Sequence, residues 1–146
     1  MSELKMSLLK SEWQVLQTQF DSYEKCSLGI KLVSILSCCV LLFLLNAGLY
    51  TTLVVAIFWL QDGIWKTFQS RIGERLETVE QAIQDSQNAE AAETSTLGMQ
   101  FNLAWNQSRP SATGLISEYL KHCLKPTVAY PYIVLIALVL LQVYRN

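Results

Sequence analysis

The stretch from residue 32 to residue 60 contains no charged side chain, and it constrains the fold more than any other part of the sequence. Asn46, Ala47 and Gly48 interrupt it near its middle. An apolar run divided in this way predicts two membrane-crossing helices joined by a tight turn. Each apolar core is about 18–21 Å long, and flanking residues extend it to about 26–27 Å, against a hydrocarbon thickness of about 30 Å. A full crossing and a re-entrant hairpin in one leaflet are therefore both open.

Amphipathic patterns flank this apolar stretch on both sides. Large apolar residues recur every three or four positions before it and again after it, which is typical of helices with one apolar seam. Two such helices leaving one hairpin lie antiparallel, and burying one seam against the other removes both from water. We expect a first helix over residues 3–45 and a second over 49–92. The seam residues expected to pair are Leu9, Trp13, Leu16, Phe20, Phe68, Ile72, Leu76 and Val79, with Glu12 off the seam.

The segment after the second seam has a weaker pattern. Residues 84–96 are polar and are expected to fray into a linker, and residues 99–105 are expected to form a short helix or a docked extended segment. Residues 112–124 predict an amphipathic helix. It lies either on the membrane surface, with Lys121 and Lys125 toward the lipid phosphates, or against the paired helices.

A second apolar block, residues 127–144, predicts a third membrane helix with tyrosines near both ends, where aromatic belts form. Hydrophobic residues make up 51% of the 146-residue chain and charged residues only 16%. We therefore expect an all-α, polytopic membrane protein with a long antiparallel helical hairpin, which has a membrane half and a cytoplasmic coiled half. The expected domains are a cytoplasmic amphipathic helix (1–27), the transmembrane hairpin (28–65), a cytoplasmic helical region (66–126) and the third transmembrane helix (127–146).

The basic residues predict the orientation. Residues 46–48 contain none, and every lysine and arginine except Arg145 lies in residues 1–31 or 65–126. The positive-inside rule places these two regions in the cytoplasm and the C-terminus outside, in the inner membrane if the source is bacterial. A net charge of −1 argues against nucleic-acid binding. The expected partners are the lipid bilayer and either further copies of the chain or a protein of a membrane complex.

Residues with catalytic or metal-binding potential are few. The one histidine, His122, stands beside Cys123, but adjacent helical residues point about 100° apart, so the two do not form a base and nucleophile pair. His122 is expected to be an ordinary surface or interfacial residue. The four cysteines have no C-x-x-C spacing and are expected to be free thiols. We expect no enzyme activity, no metal and no cofactor.

Asp62 is the most informative polar residue, because with Gln61 it breaks an otherwise apolar helix. Ionisable groups at membrane depth are costly and usually face a partner or a cavity. In one interpretation Asp62 ends the span at the interface, near Lys31 or Lys66. In the other, a ring of Asp62 side chains lines the cation-attracting mouth of an oligomer. The candidate functional polar residues are Asp62, Gln61 and Lys31.

Two functions fit these patterns. The first is a non-enzymatic membrane subunit that self-assembles or docks a partner through its cytoplasmic helices, and it is favoured by the seams. The second is a homo-oligomeric pore or ion channel, motivated by Asp62, Gln61 and the hairpin threonines. The layout of cytoplasmic helices around a two-span hairpin resembles the SLATT-type pore-forming membrane domains in architecture, with the third span as an addition. No residue role follows from that resemblance.

Overall fold

The computed structural model describes residues 3–87, 98–108 and 110–145, which form helices and no strand. The predicted all-helical class and the long helical hairpin are confirmed. The predicted end of the second helix near residue 92 and most of the predicted linker lie outside the described residues. The helices are α1 (Glu3–Cys39), followed by a π-helical turn (Val40–Leu44), α2 (Leu49–Gln87), α3 (Phe101–Ser108), α4 (Ala112–Cys123) and α5 (Pro126–Arg145).

The turn of the hairpin lies where the sequence predicts it. Asn46 and Gly48 have φ angles of 48° and 53°, in the left-handed region that glycine adopts freely and asparagine tolerates. The Leu45 N–H donates to the Val40 carbonyl at 3.2 Å, and the Ala47 N–H donates to the Leu41 carbonyl at 2.9 Å. These bonds satisfy carbonyl groups that the end of a helix otherwise leaves without partners.

The structure divides into two compact units, and unit 1 consists of Met1–Ser22 and Gln69–Ser111. Within it the N-terminal part of α1 packs against the C-terminal part of α2. The Gln69 side chain donates to the Phe20 carbonyl at 3.3 Å, and the indole N–H of Trp13 donates to Glu80 at 2.8 Å. The core cluster consists of Leu9, Val79 and Ala82, with Trp13 and Ile83 packed against it.

The predicted seam residues differ in how much of their surface is buried. Trp13 and Phe20 are half-buried. Phe68 departs from the expectation, since 38% of its surface is exposed, and it belongs to unit 2. The buried members of the seam are Leu9, Leu16, Ile72, Leu76 and Val79.

Unit 2 consists of Tyr23–Phe68 and Ala112–Asn146, so it contains the predicted hairpin and the predicted C-terminal span. A methyl group at Gly48 would lie 3.9 Å from Val143. The hairpin turn therefore lies beside the C-terminal end of α5, and α5 runs antiparallel to α2. One core joins all three helices and consists of Cys38, Leu42, Val55, Val128, Tyr132, Leu135 and Val139.

Two helical segments among the described residues are long and apolar enough to cross a membrane, Glu3–Leu44 and Pro126–Arg145. They contain the first and third predicted spans. The second predicted span lies in α2, which is not among them, because its apolar part ends at Leu60 and the charged half of the helix follows.

Candidate functional site

A buried ion pair lies inside unit 2, between α1 and α2. The Asp62 carboxylate is fully buried, and the Lys31 ammonium lies 2.9 Å from Asp62 Oδ2. The pair forms because Lys31 lies on the inward face of α1, where Ser27, Ser34 and Cys38 recur at helical spacing. A charge at this depth would otherwise raise the free energy of the fold by several kcal/mol, so the partner is needed.

Two further side chains donate hydrogen bonds to the Asp62 carboxylate. The Ser27 hydroxyl donates to Asp62 Oδ1 and accepts a hydrogen bond of 2.9 Å from Lys31. The Tyr132 hydroxyl donates to Asp62 Oδ2 at 3.3 Å. The Asp62 carboxylate therefore accepts hydrogen bonds from side chains on α1 and α5, in addition to forming the ion pair with Lys31. We call Ser27, Lys31, Asp62 and Tyr132 the Asp62 cluster.

One wall beside the Asp62 cluster is formed by α4. The rings of Trp59 and Tyr132 stack with centroids 6.2 Å apart and planes 10° apart. The Trp59 indole N–H donates to the Cys123 carbonyl at 2.9 Å. A methyl group at Gly63 would overlap with the Cys123 sulfur, so the close approach of α4 to α2 requires glycine at position 63.

The environment of Cys123 is apolar and close to a negative charge. Burial raises the pKa of the Cys123 thiol, and the negative charge of Asp62 adds to that rise. A thiol with a raised pKa is mostly protonated at neutral pH and is a poor nucleophile. Its neighbour His122, expected at the surface or an interface, is also buried, because this end of α4 packs against the rest of unit 2.

The structure brings together two of the three predicted polar residues. Lys31 and Asp62 form the ion pair, so of the two lysines considered as partners of Asp62, Lys31 makes the contact. Gln61 is exposed, because adjacent residues on a helix point about 100° apart. Ser27 and Tyr132 were not predicted. Ser27 could have been found from its position one turn before Lys31, whereas Tyr132 resembled an ordinary interfacial tyrosine.

Three further hydroxyl groups of unit 2 are buried. Within the described residues, Ser34 Oγ, Thr51 Oγ1 and Thr52 Oγ1 are buried without a hydrogen-bond partner. Ser34 and Cys38 are buried within the chain. They therefore do not offer a surface to a helix of another chain.

A second buried ion pair lies in unit 1. The Arg75 guanidinium donates two hydrogen bonds to Glu12, at 2.9 and 3.1 Å, and the Met99 N–H donates to the same carboxylate at 2.6 Å. Glu12 was expected off the seam, yet it is buried. The reason is that Arg75 and the backbone at Met99 supply donors that a pattern on α1 alone does not reveal.

Comparison of the chain with protein families, curated proteins and solved structures finds no match. Among residues 3–87, 98–108 and 110–145, no group of three or more histidine, cysteine, aspartate or glutamate side chains could hold a metal ion. The arrangement found in unit 2 is a helical packing with a charged cluster inside and large apolar side chains outside.

Proposed function

We propose that this chain is a small, non-enzymatic integral membrane protein that acts as a membrane subunit. The observation that carries the proposal is the distribution of polarity in unit 2. Asp62, Ser27, Ser34 and Thr51 are buried there, while many leucine, isoleucine, valine and tyrosine side chains are exposed. Water favours the opposite distribution, whereas a bilayer favours apolar side chains outside and polar groups paired within the bundle.

In the proposed topology the chain crosses the membrane three times. The first and third crossings use the two long apolar helical segments, and the second uses the apolar half of α2. The nearness of Gly48 to Val143 supports placing the hairpin turn and the C-terminus on one side. The distribution of basic residues supports placing unit 1 in the cytoplasm.

Cysteine accessibility tests this topology. Cysteines would be introduced one at a time at Lys10, Glu77 and Tyr144 in a Cys26→Ser/Cys39→Ser background, which leaves only the buried Cys38 and Cys123 of the natural thiols. Each variant would be treated with a membrane-impermeant maleimide in vesicles of known orientation. Positions 10 and 77 should react from the same side and position 144 from the opposite side. Reaction of positions 10 and 77 from opposite sides would contradict both the hairpin and the membrane assignment.

The proposed subunit docks a partner through unit 1. The seam residues of unit 1 are packed within the chain, so we place the contact with the partner on apolar side chains that remain exposed. Leu4 and Val15 are both exposed, and they lie eleven residues apart, which places them on the same side of α1.

The mass of the protein extracted in mild detergent tests this role. We expect extraction from native membranes to give a particle larger than one chain. The double variant Leu4→Glu/Val15→Glu should reduce it to the mass of one chain, whereas Gln14→Glu, at an exposed polar position, should not. A monomer without a co-purifying protein would contradict the subunit role.

A homo-oligomeric pore is the alternative, but the Asp62 cluster supports it less well. The Asp62 carboxylate is enclosed within one chain, and its charge is balanced by Lys31. Ion flux into liposomes would test the alternative, with native protein and the Asp62→Asn variant compared. Flux that disappears on this substitution would favour a pore, and the absence of flux in both would count against it.

A further inference from the structure

Helix α4 packs one face against the rest of unit 2 and exposes a second face, which is apolar. The packed face contains His122 and Cys123, which are buried. It is attached to α2 by the hydrogen bond from Trp59 to the Cys123 carbonyl and by the close contact at Gly63. This contact places α4 beside the part of α2 that contains Asp62.

The second face of α4 is apolar and exposed. Ile116, Leu120 and Leu124 are each more than half exposed. Ile116 and Leu120 lie one turn apart on the same side of α4. Leu124 lies in the turn that follows the helix and donates its backbone N–H to the Leu120 carbonyl at 3.1 Å, which extends the stripe by one more residue. Lys121 follows Leu120 by one position, so it lies about 100° around the helix from the stripe, and Lys125 follows Leu124 in the connection to α5. Both lysines are exposed. The helix therefore presents an apolar stripe flanked by positive charge.

We propose that this face of α4 binds the lipid–water interface, with the apolar stripe at the edge of the hydrocarbon and the two lysines on the phosphates of anionic lipids. The inference rests on the proposed function, because it needs a bilayer around unit 2. Two observations select lipid as the occupant. The stripe continues through Leu124 toward α5, whose exposed side chains include Tyr130 and Ile133, and the lysines complement anionic headgroups.

Fluorescence quenching tests the position of the stripe in the full-length protein. A Leu120→Cys variant in a Cys26→Ser/Cys39→Ser background would carry an environment-sensitive fluorophore in vesicles of phosphatidylcholine and phosphatidylglycerol. The fluorophore should be quenched by nitroxide on the lipid acyl chains and not by aqueous iodide. Gln14→Cys, at an exposed polar position of unit 1, is the control and should be quenched by iodide.

Two quenching results would overturn the proposal. Quenching of the position 120 fluorophore by iodide would place the stripe in water. Protection from both quenchers would place it against protein, as in a contact between copies of the chain. Either result would leave the proposed function intact if positions 10, 77 and 144 still label as expected, so the two failures are distinguishable.

The role of the lysines has its own test, which measures binding of a fluorescent phosphatidylglycerol by the protein in neutral detergent micelles. Each lysine near an anionic surface contributes about a fivefold increase in affinity at low salt. We expect Lys121→Gln and Lys125→Gln to weaken binding by about that factor each, and the arginine variants to retain it. Equal affinity in native, glutamine and arginine forms would overturn the proposal.

Discussion

Units 1 and 2 each contain an ion pair, but they differ in how many large apolar side chains are exposed on their surfaces. In unit 1 Glu12 and Arg75 lie beside an apolar core, and few large apolar side chains are exposed among its described residues. In unit 2 Lys31 pairs with the buried Asp62, and many large apolar side chains are exposed, among them Leu36, Phe43 and Leu53. The same two helices, α1 and α2, contribute to both units. The inward helix faces of both units therefore contain a charged pair, whereas the outward faces differ in the way that the proposed surroundings, water for unit 1 and lipid for unit 2, would favour.

The largest expected effect follows from removing the carboxylate of the Asp62 cluster. Asp62→Ala leaves Lys31 without its counter-charge in a buried site, so the free energy of unfolding should fall by about 3–5 kcal/mol. The double variant Lys31→Ala/Asp62→Ala should be more stable than Asp62→Ala alone, because no unpaired charge remains. Denaturant titration in micelles measures both. The exposed neighbour Gln61→Ala is the control, with an expected change of about 0.5 kcal/mol or less.

The equivalent substitution in unit 1 sharpens the comparison. Glu12→Ala removes the acceptor of three hydrogen bonds and leaves Arg75, whose side chain is 12% exposed against 19% for Lys31. If unit 1 lies in water and unit 2 in lipid, the exposed part of Arg75 is hydrated and that of Lys31 is not, so the loss of Glu12 should cost less, about 1.5–3 kcal/mol. A cost for Glu12→Ala as large as that for Asp62→Ala would mean that the two ion pairs lie in similar surroundings.

A direct test of the two surfaces compares one lysine substitution in each unit. Leu36 is 65% exposed in unit 2 and Leu103 is 60% exposed in unit 1, so neither change disrupts a core. If unit 2 lies in lipid, Leu36→Lys should cost about 2.5–3.5 kcal/mol of insertion free energy. If unit 1 lies in water, Leu103→Lys should change stability by about 0.5 kcal/mol or less. Equal effects, read from the membrane-inserted fraction and the unfolding free energy, would contradict the assignment of solvents.

The contact between α4 and α2 gives a prediction of intermediate size. Gly63→Ala would force the Cys123 sulfur to move, and overpacking of this kind costs about 1–3 kcal/mol. Gly29→Ala is the matched control, because nothing lies within 4 Å of the added methyl group. It should be neutral or stabilising by up to about 1 kcal/mol through helix propensity. Denaturant titration in micelles measures the change in the free energy of unfolding for both variants. The two changes should differ in sign or clearly in size, and equal changes would argue against the close α2–α4 contact.

Much of the helical layout could be predicted, because it depends on local patterns. Apolar spacing located α1, α2 and α4, and the residues at 46–48 located the turn between α1 and α2. The buried polar contacts were harder to predict from the sequence. Lys31 was one of two suggested partners for Asp62, but Tyr132 and the Glu12–Arg75 pair join segments that are distant in the sequence. Periodicity identifies an inward face without showing which polar residue beside it will meet a partner from another helix.

The smallest effects concern the reactivity of the cysteine thiols, which distinguishes side chains exposed to water from side chains exposed to lipid. Cys26 and Cys39 are both exposed in the structure, and Cys123 is buried. A membrane-impermeant maleimide should label Cys26 in vesicles opened to both sides, but not Cys39, which lies in the first predicted span. Cys123 should react only after unfolding, because burial blocks access and its raised pKa lowers the thiolate fraction at neutral pH. Mass spectrometry of the labelled peptides measures all three. Labelling of Cys39 as fast as Cys26 would show that water reaches the outer face of unit 2, and the contrast between the two units would then be lost.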